Sequence, residues 1–440
     1  METVLVIGAA RSGIAVSKLL LKNGYHVVLT DSNEIKEKAE LQDLGIEVFD
    51  GGHPDCLKDK EYAFIVKNPG IPYRVPFVHY FVEQNAKIYT EIEVAYRFAK
   101  NFNYAAVTGT DGKTTVTTLL YEMLNRQKKS LVAGNIGTPL CELVLEHTDA
   151  DYNVALELSN FQLLGIETFR PHVSTVTNLA PDHLDYMDNL EAYYQSKMRI
   201  YENTNADDYF IRNVDDENVV KYAQNIPCQV IDFSLKRKDV DLYKDDKYAY
   251  YKDTQLFTLS DLKIVGEFNC GNAMMASCMA YLMGVSLFNI QEVIREFSGV
   301  EHRIEYVDTI DNVRFYNDSK ATNTHAACAG LSAFEKNVIL LCGGKDKHIS
   351  FDDLKQYDAV VKKCISFGQT KDKFKDIFTN QISVETMKDA FEKAVLSAKP
   401  GDIVLLCPAC SSFDQFKNYE IRGEIFKQMV HDYASKRNEE

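Results

Sequence analysis

The sequence predicts an α/β protein of three domains, and three observations carry that expectation. Three times an apolar, β-branched run passes through a turn into a helical pattern, which is the signature of parallel-sheet units. Two of those turns, Gly8-Ala9-Ala10-Arg11-Ser12-Gly13 and Gly109-Thr110-Asp111-Gly112-Lys113-Thr114-Thr115, are glycine-rich and open a helix. A chain of 440 residues is also too long for one ordinary core.

The first block is Rossmann-like. Val4 to Ile7 reads as a strand, Ile14 to Lys22 as an amphipathic helix, and His26 to Thr30 as a second strand ending at Asp31. A third strand, Ala63 to Val66, leads into Lys67-Asn68-Pro69-Gly70, a loop at the carboxyl end of a strand, where open α/β sheets place ligands. The second block starts near Glu93 with a short helix. Its strands are read at Tyr104 to Thr108, Asn153 to Leu158 and Val173 to Asn178, and its helices at Val116 to Gln127 and Asn272 to Met283. The polar stretch Asp207 to Asp261 reads as hairpins or insertions. The third block, again Rossmann-like, opens around Ser298 to Arg303, with strands at Val313 to Tyr316, Val338 to Leu341, Cys364 to Phe367 and Ile403 to Leu406. The expected domains are therefore 1–92, 93–297 and 298–440.

The second glycine turn points to phosphate chemistry. Glycines let successive backbone N–H groups face phosphate oxygens, a helix N-terminus adds partial positive charge, Lys113 adds a full one, and the Thr114 hydroxyl can reach Mg²⁺. Val107 stands where the strict motif has its first glycine, so this is a variant loop, with ATP as its natural ligand. Glu157 ends an apolar strand, and an acid there is costly unless paired or coordinated. It reads either as a metal ligand or as an acid bridged to a lysine. Asp182, His183 and Asp185 cluster at the end of the next strand, where they could serve a metal or merely cap a helix.

These residues resemble the Mur ligase family. The resemblance is carried by the Gly109 to Thr115 loop, Glu157-Leu158-Ser159, Asn178 with Asp182 to Asp185, Gly266-Glu267-Phe268-Asn269 with Asn272, His302-Arg303, and Asn317-Asp318-Ser319-Lys320-Ala321-Thr322-Asn323. Within the family, Cys407 to Tyr419 with Arg422-Gly423 resembles the branch that adds D-glutamate to UDP-N-acetylmuramoyl-L-alanine in peptidoglycan precursor synthesis. The resemblance implies an ATP-dependent ligase working through an acyl phosphate, with ATP as co-substrate and two Mg²⁺ sites. It makes Gly109, Thr110, Asp111, Gly112, Lys113, Thr114, Thr115, Asn269, Asn272, Arg303 and Asp318 the ATP-binding set. Thr114, Glu157, His183 and a carbamylated Lys197 would serve metal, and Lys113, His183, Lys197 and Lys320 catalysis. Arg11, Ser12, Asp31, Ser32 and Asn135 would bind the uridine substrate, and Lys347, Ser412 and Tyr419 the D-glutamate. Ala10 takes the place of the second glycine of a dinucleotide fingerprint, which disfavours NAD and suits the family's UDP site. Phe268, Cys407 and Tyr419 replace residues more usual in the family. Nucleotide groups on the second block and amino-acid ligands on the third imply domain closure.

Composition sets the outer bounds. A formal charge of −15 argues against a nucleic-acid binder, which needs a basic surface to displace counterions. No stretch reaches the roughly 18 apolar residues of a membrane span, and the start lacks a basic leader, so a cytoplasmic protein, expected to be a monomer, is predicted. The ten cysteines read as reduced core thiols, and Cys407 and Cys410 lack the second pair that a zinc site needs. Two rival readings are a sibling ligase or folylpolyglutamate-type enzyme taking another amino acid, and a nicotinamide-dependent dehydrogenase built on Gly8 to Asp31.

Overall fold

The computed structural model describes residues 1–181, 187, 189–346 and 350–439. Among them, three sheets are formed. The first contains β1 (Thr3–Ile7), β2 (His26–Thr30), β3 (Glu47–Phe49), β4 (Phe64–Lys67) and β5 (Ile88–Tyr89), all parallel, in the order β3-β2-β1-β4-β5. The order reverses at β1 and β4, so the loops following those two strands diverge and leave a crevice between them. Both faces of this sheet are covered. Val4, Val6, Val27 and Leu29 enter one apolar cluster, while Leu5, Ile7, Val28 and Ile65 pack against Phe77, Val78 and Phe81 in another. Two-sided burial explains why these strands read as continuous apolar runs.

The second sheet takes β6 (Phe102–Thr108), β7 (Leu131–Gly134), β8 (Tyr152–Glu157), β9 (Val173–Val176), β10 (Tyr209–Asn213), β11 (Gln229–Phe233), β12 (Leu242–Lys244), β13 (Tyr248–Tyr251) and β14 (Thr254–Thr258). Their order is β14-β13-β12-β11-β10-β9-β6-β8-β7, parallel from β7 to β12 and antiparallel only at the β12-β13-β14 end. The stretch read as hairpins is thus only partly so: β10 and β11 extend the main parallel sheet, burying Phe210, Ile211, Ile231 and Phe233 between polar neighbours that obscured them in the sequence. The third sheet contains β15 (Glu305–Ile310), β16 (Val313–Asn317), β17 (Val338–Gly343), β18 (Val361–Phe367), β19 (Gln381–Ser383) and β20 (Ile403–Leu406). Its order is β15-β16-β20-β17-β18-β19, with the β15-β16 pair antiparallel.

The chain divides into two compact units, one of residues 1–258 with 272–293, the other of 259–271 with 294–440. Inside the first unit, the helix Glu91–Phe98 is held by two buried acids. Glu91 accepts the backbone N–H groups of Leu140 (3.3 Å) and Cys141 (3.0 Å), and Glu93 accepts those of Glu167, Thr168 and Phe169 at 2.9 to 3.0 Å. Burial pushes the Glu91 carboxyl upward, whereas the hydrogen bonds on Glu93 outweigh its burial and hold it low. All ten cysteines are free thiols, and no helix among the described residues is long and apolar enough to cross a membrane.

Gly13 sets the approach of the helix Arg11–Lys22 to β1, since a Cβ there would lie 1.9 Å from the Gly8 carbonyl oxygen. Gly13→Ala is expected to destabilise the chain by about 3 kcal/mol, the upper range for overpacking; a urea midpoint equal to that of the parent chain would contradict this.

Candidate active site

β6 ends at Thr108, the chain turns at Gly109 (φ +143°) and Gly112 (φ +81°), and the helix Lys113–Gln127 begins. The turn needs its first glycine, because a Cβ on Gly109 would meet Thr177 Oγ1 at 1.9 Å. Neighbouring β9 and the segment after it hold the loop from the side. Thr110 N–H donates to Asn178 O (3.0 Å), Asp111 N–H to Asn178 Oδ1 (3.0 Å), and Asn178 Nδ2 and Thr177 Oγ1 return bonds to Asp111 O (3.0 and 2.5 Å). Asn178 is therefore a loop clamp, a role its position at a strand end left unspecified.

Two lysines converge on this turn. Lys113 Nζ donates to Gly109 O (3.0 Å) and Thr110 O (2.7 Å). Lys197, on the helix Leu190–Met198 and only 2% exposed, donates to the same Gly109 O at 2.7 Å and lies 4.8 Å from the centre of the Tyr193 ring. Lysines on helices are ordinarily exposed, and this one is enclosed.

Glu157 sits at the end of β8, paired in register with Val107 and with Gly134 on either side. It is 1% exposed. Its Oε1 accepts from Asn135 Nδ2 (2.8 Å), and Asn135 N–H donates to Glu157 O (2.8 Å), while Oε2 has no hydrogen-bond partner among the described residues. No lysine bridges it among the described ion pairs, so the salt-bridge reading of Glu157 finds no partner there, and one buried carboxylate oxygen is left without a hydrogen bond. That orphaned oxygen, with the Thr114 hydroxyl in the first helical turn, fits a hard divalent ion. His183, with Asp182 and Asp185, lies outside the described residues, as does Lys347.

A cavity of about 310 Å³ opens beside this acid, lined by Ser12, Asn68, Glu91, Asn135, Ser159 and Gln162 among others. A second, of about 190 Å³, is lined by Gly8, Ala10, Asp31, Ser32, His53 and Asn68 among others. Ser12, Asp31, Ser32 and Asn135 are thus brought to two cavities that share Asn68. Asp31 is committed: it accepts Ala9 N–H (2.7 Å) and Asn33 N–H (2.8 Å), which hold its carboxyl low despite burial. Arg11 pairs at the surface with Glu142 (3.2 Å). The sequence reading did not single out Glu91 or His53; Asn68 belongs to the Lys67 to Gly70 loop that it had placed at a ligand-bearing strand end.

In the second unit, the loop after β16 carries Asp318, Ser319 and Lys320. Asp318 is buried, accepts the Cys407 thiol at 3.3 Å and Ile304 N–H at 3.3 Å, and burial pushes its carboxyl up to about 7. Burial likewise pushes both the Cys407 and Cys410 thiols up, the second to about 11, so neither is a poised thiolate. Arg422 is fully buried and ties two loops together: Nε and Nη2 donate to Ser319 Oγ (3.0 Å) and Ser319 O (2.8 Å), Nη1 to Cys410 O (3.0 Å). Ser412 is buried beside Cys410, its carbonyl accepting the N–H groups of Gln415 and Phe416. Lys320 Nζ stands 5.2 Å from the Tyr419 ring centre, so those two predicted residues are brought together. Asn269 Nδ2 donates to Val265 O (2.9 Å) and Arg303 N–H to Val300 O (2.9 Å); Phe268 is 50% exposed. Asn269 belongs to the second unit and the buried Asn272 to the first.

A family model for the Mur ligase middle domain matches residues 107–280, and one for the Mur ligase glutamate ligase domain matches 302–410. The chain belongs to the Mur ligase family. Its relatives include a UDP-N-acetylmuramoylalanine--D-glutamate ligase of Geobacillus sp. (strain WCH70), 44% identical over 97% of each chain. Another of the same name from Bacillus cereus (strain G9842) is 41% identical over 98% of this chain and 97% of the relative. Among solved structures, a MurF ligase from Thermotoga maritima in complex with ADP matches with a TM-score of 0.59 at 16% identity, covering 94% of this chain and 96% of that one. UDP-N-acetylmuramate-alanine ligase MurC from the same organism matches at 0.56 and 18%, covering 98% and 100%. At such identities the structural likeness speaks to the Mur ligase fold alone.

The Asp318 shift makes stability depend on pH. Its ordinary value is 3.8 and its folded value about 7, so between them the folded chain holds a proton that the unfolded chain has released. Stability from this group is greatest near pH 4 and falls as pH rises to 7. From pH 5 to 7.5 the parent chain should lose roughly 3 kcal/mol relative to Asp318→Asn, and parallel urea titrations of the two at both pH values would show otherwise if the carboxyl were ordinary.

Proposed function

We propose that this Mur ligase joins the amine of D-glutamate to the alanyl carboxylate of UDP-N-acetylmuramoyl-L-alanine, using ATP, in peptidoglycan precursor synthesis. The single observation that carries the reading is the Glu157 carboxylate, with one oxygen held by Asn135 and the other unpartnered, next to a lysine-bearing phosphate loop. The near full-length similarity to ligases of that name favours D-glutamate over the amino acid of a sibling enzyme.

A carboxylate resists attack by an amine because its oxygen is a poor leaving group. Transfer of the γ-phosphoryl group of ATP to that oxygen gives an acyl phosphate and ADP, the D-glutamate amine adds to its carbonyl carbon, and phosphate departs with the C–O electrons as the nitrogen gives up one proton to leave the neutral amide. Lys113, released from the loop carbonyls, and Lys320 offset the charge that gathers between the reacting anions. Gly109 to Thr115 would cradle the triphosphate, with Asn269, Asn272, Arg303 and Asp318 toward the adenosine end. Bound Mg²⁺, at two sites held by Thr114, Glu157, His183 and a carbamylated Lys197, would neutralise phosphate charge. Addition of CO₂ to the Lys197 amine would leave one N–H for the Gly109 carbonyl and set a carboxylate beside the loop. Arg11, Ser12, Asp31, Ser32 and Asn135 are assigned to the uridine substrate, and Lys347, Ser412 and Tyr419 to D-glutamate, whose carboxylates suit an ammonium and a hydroxyl.

We read each sheet as the core of one functional domain: 1–92 Rossmann-like for the uridine substrate, 93–297 for ATP, and 298–440 Rossmann-like for the amino acid. Support comes from the strand ranges, 3–89, 102–258 and 305–406. The enzyme is taken to work in the cytoplasm as a monomer.

Phosphate release from ATP, measured with the uridine acceptor and each of D-glutamate, L-glutamate, L-lysine and L-alanine, should be confined to D-glutamate. Turnover with another of the four would replace this assignment by a sibling ligase, and Lys113→Ala and Glu157→Ala should each abolish it. Asn135→Ala leaves Glu157 unsupported, so the Mg²⁺ concentration for half-maximal turnover should rise by roughly tenfold or more; an unchanged Mg²⁺ titration would refute the orienting role.

A further inference from the structure

Resting on the uridine-substrate reading above, we infer that His53 is a further specificity-determining residue, one that contacts the nucleobase end of the substrate.

The sequence Gly51-Gly52-His53-Pro54 follows β3, and both glycines have positive φ, +70° and +141°. The turn they make is fastened to the loop after β2: Gly51 N–H donates to Asn33 O (3.1 Å) and Gly52 N–H to Asp31 O (3.2 Å). His53 is thereby carried to the carboxyl ends of the parallel strands, into the lining of the 190 Å³ cavity. Its ring is fixed in two ways. One face stacks on the buried Phe77, with centroids 4.4 Å apart and planes within 12°, and Nδ1 lies 2.9 Å from Thr30 Oγ1. An imidazole held in plane and by one nitrogen keeps its remaining face and edge available in a defined orientation, which is what a selective contact requires.

Charge decides which part of the ligand belongs here. Burial pushes the His53 imidazole below its ordinary value, against the opposing pull of Asp31, so the ring is neutral at pH 7. A neutral ring beside an ionised aspartate is a poor phosphate site and a good one for an uncharged heterocycle. The diphosphate has a better place at the start of the helix Arg11–Lys22, which lacks a side-chain cap and any acid in its first turn. Nothing in the sequence motifs singled out His53, because its partners Thr30 and Phe77 flank it by more than twenty residues on either side.

The test is kinetic and competitive. His53→Ala should raise KM for UDP-N-acetylmuramoyl-L-alanine about tenfold while leaving kcat and the KM values for ATP and D-glutamate within about twofold, the loss expected for one polar contact plus packing. Inhibition by UMP should weaken, and its advantage over CMP should shrink toward unity. His53→Phe preserves the stack on Phe77 and removes the polar edge, so it should retain a parent-like melting temperature yet lose the UMP-over-CMP preference. Unchanged KM and unchanged base preference in both variants would overturn the inference. If instead the parent chain failed to turn over the uridine acceptor yet bound UMP in a His53-dependent way, the assigned reaction would fall and the nucleobase contact would stand.

Discussion

One backbone oxygen, that of Gly109, organises the first unit. Two ammonium groups, from Lys113 and the buried Lys197, donate to it, while the missing side chain of Gly109 makes room for Thr177. A buried cation is tolerated only where acceptors are fixed in advance. Here the acceptor is fixed by the turn itself, and the turn by its bonds to Thr177 and Asn178. On its other edge β6 pairs with β8, which sets Glu157 in register with Val107, two residues before the glycine. Cationic loop and anionic strand end are therefore held by one sheet, with no reliance on flexible side chains to find each other.

How much of this was legible follows from how local each cause is. The phosphate loop was legible because strand, turn chemistry and helix lie within one run of the chain. Glu157 was legible as an acid in an apolar stretch, but its hydrogen bond from Asn135 spans 22 residues and was not read from the sequence. The buried Arg422 reaches Ser319 across 103 residues, and Glu93 reaches Phe169 across 76. Neither contact leaves a periodic trace. β10 and β11 escaped for a related reason: each has only two buried apolar residues, set beside arginine and asparagine in β10 and around an aspartate in β11, so neither reads as the continuous apolar run of an interior strand.

Cys407 and Cys410, read from the sequence as core thiols despite their spacing, are buried free thiols in the fold. Each thiol already has a different polar neighbour, Asp318 for the first and Thr370 for the second. Desolvation favours the neutral thiol at both. What the sequence presents as a two-cysteine motif is, in the fold, a set of compact polar contacts that Arg422 anchors through the Cys410 carbonyl.

Lys67 follows the same logic at the crevice of the first sheet. Its side chain is fully buried at the end of β4, and burial pushes the amine down to about 8. It donates to Asn68 O (3.1 Å) and Ile71 O (2.7 Å) and lies 4.5 Å from the Tyr73 ring centre. A buried apolar side chain of similar length would cost less desolvation but would leave those two carbonyls to other donors. Since Asn68 forms the wall common to both cavities and its side chain accepts Gly70 N–H, the cation stiffens the partition between them. The backbone at both ends of the Asn68 to Ile71 turn is thus tied by one buried amine to the end of β4, which supplies the strand that the partition stands on.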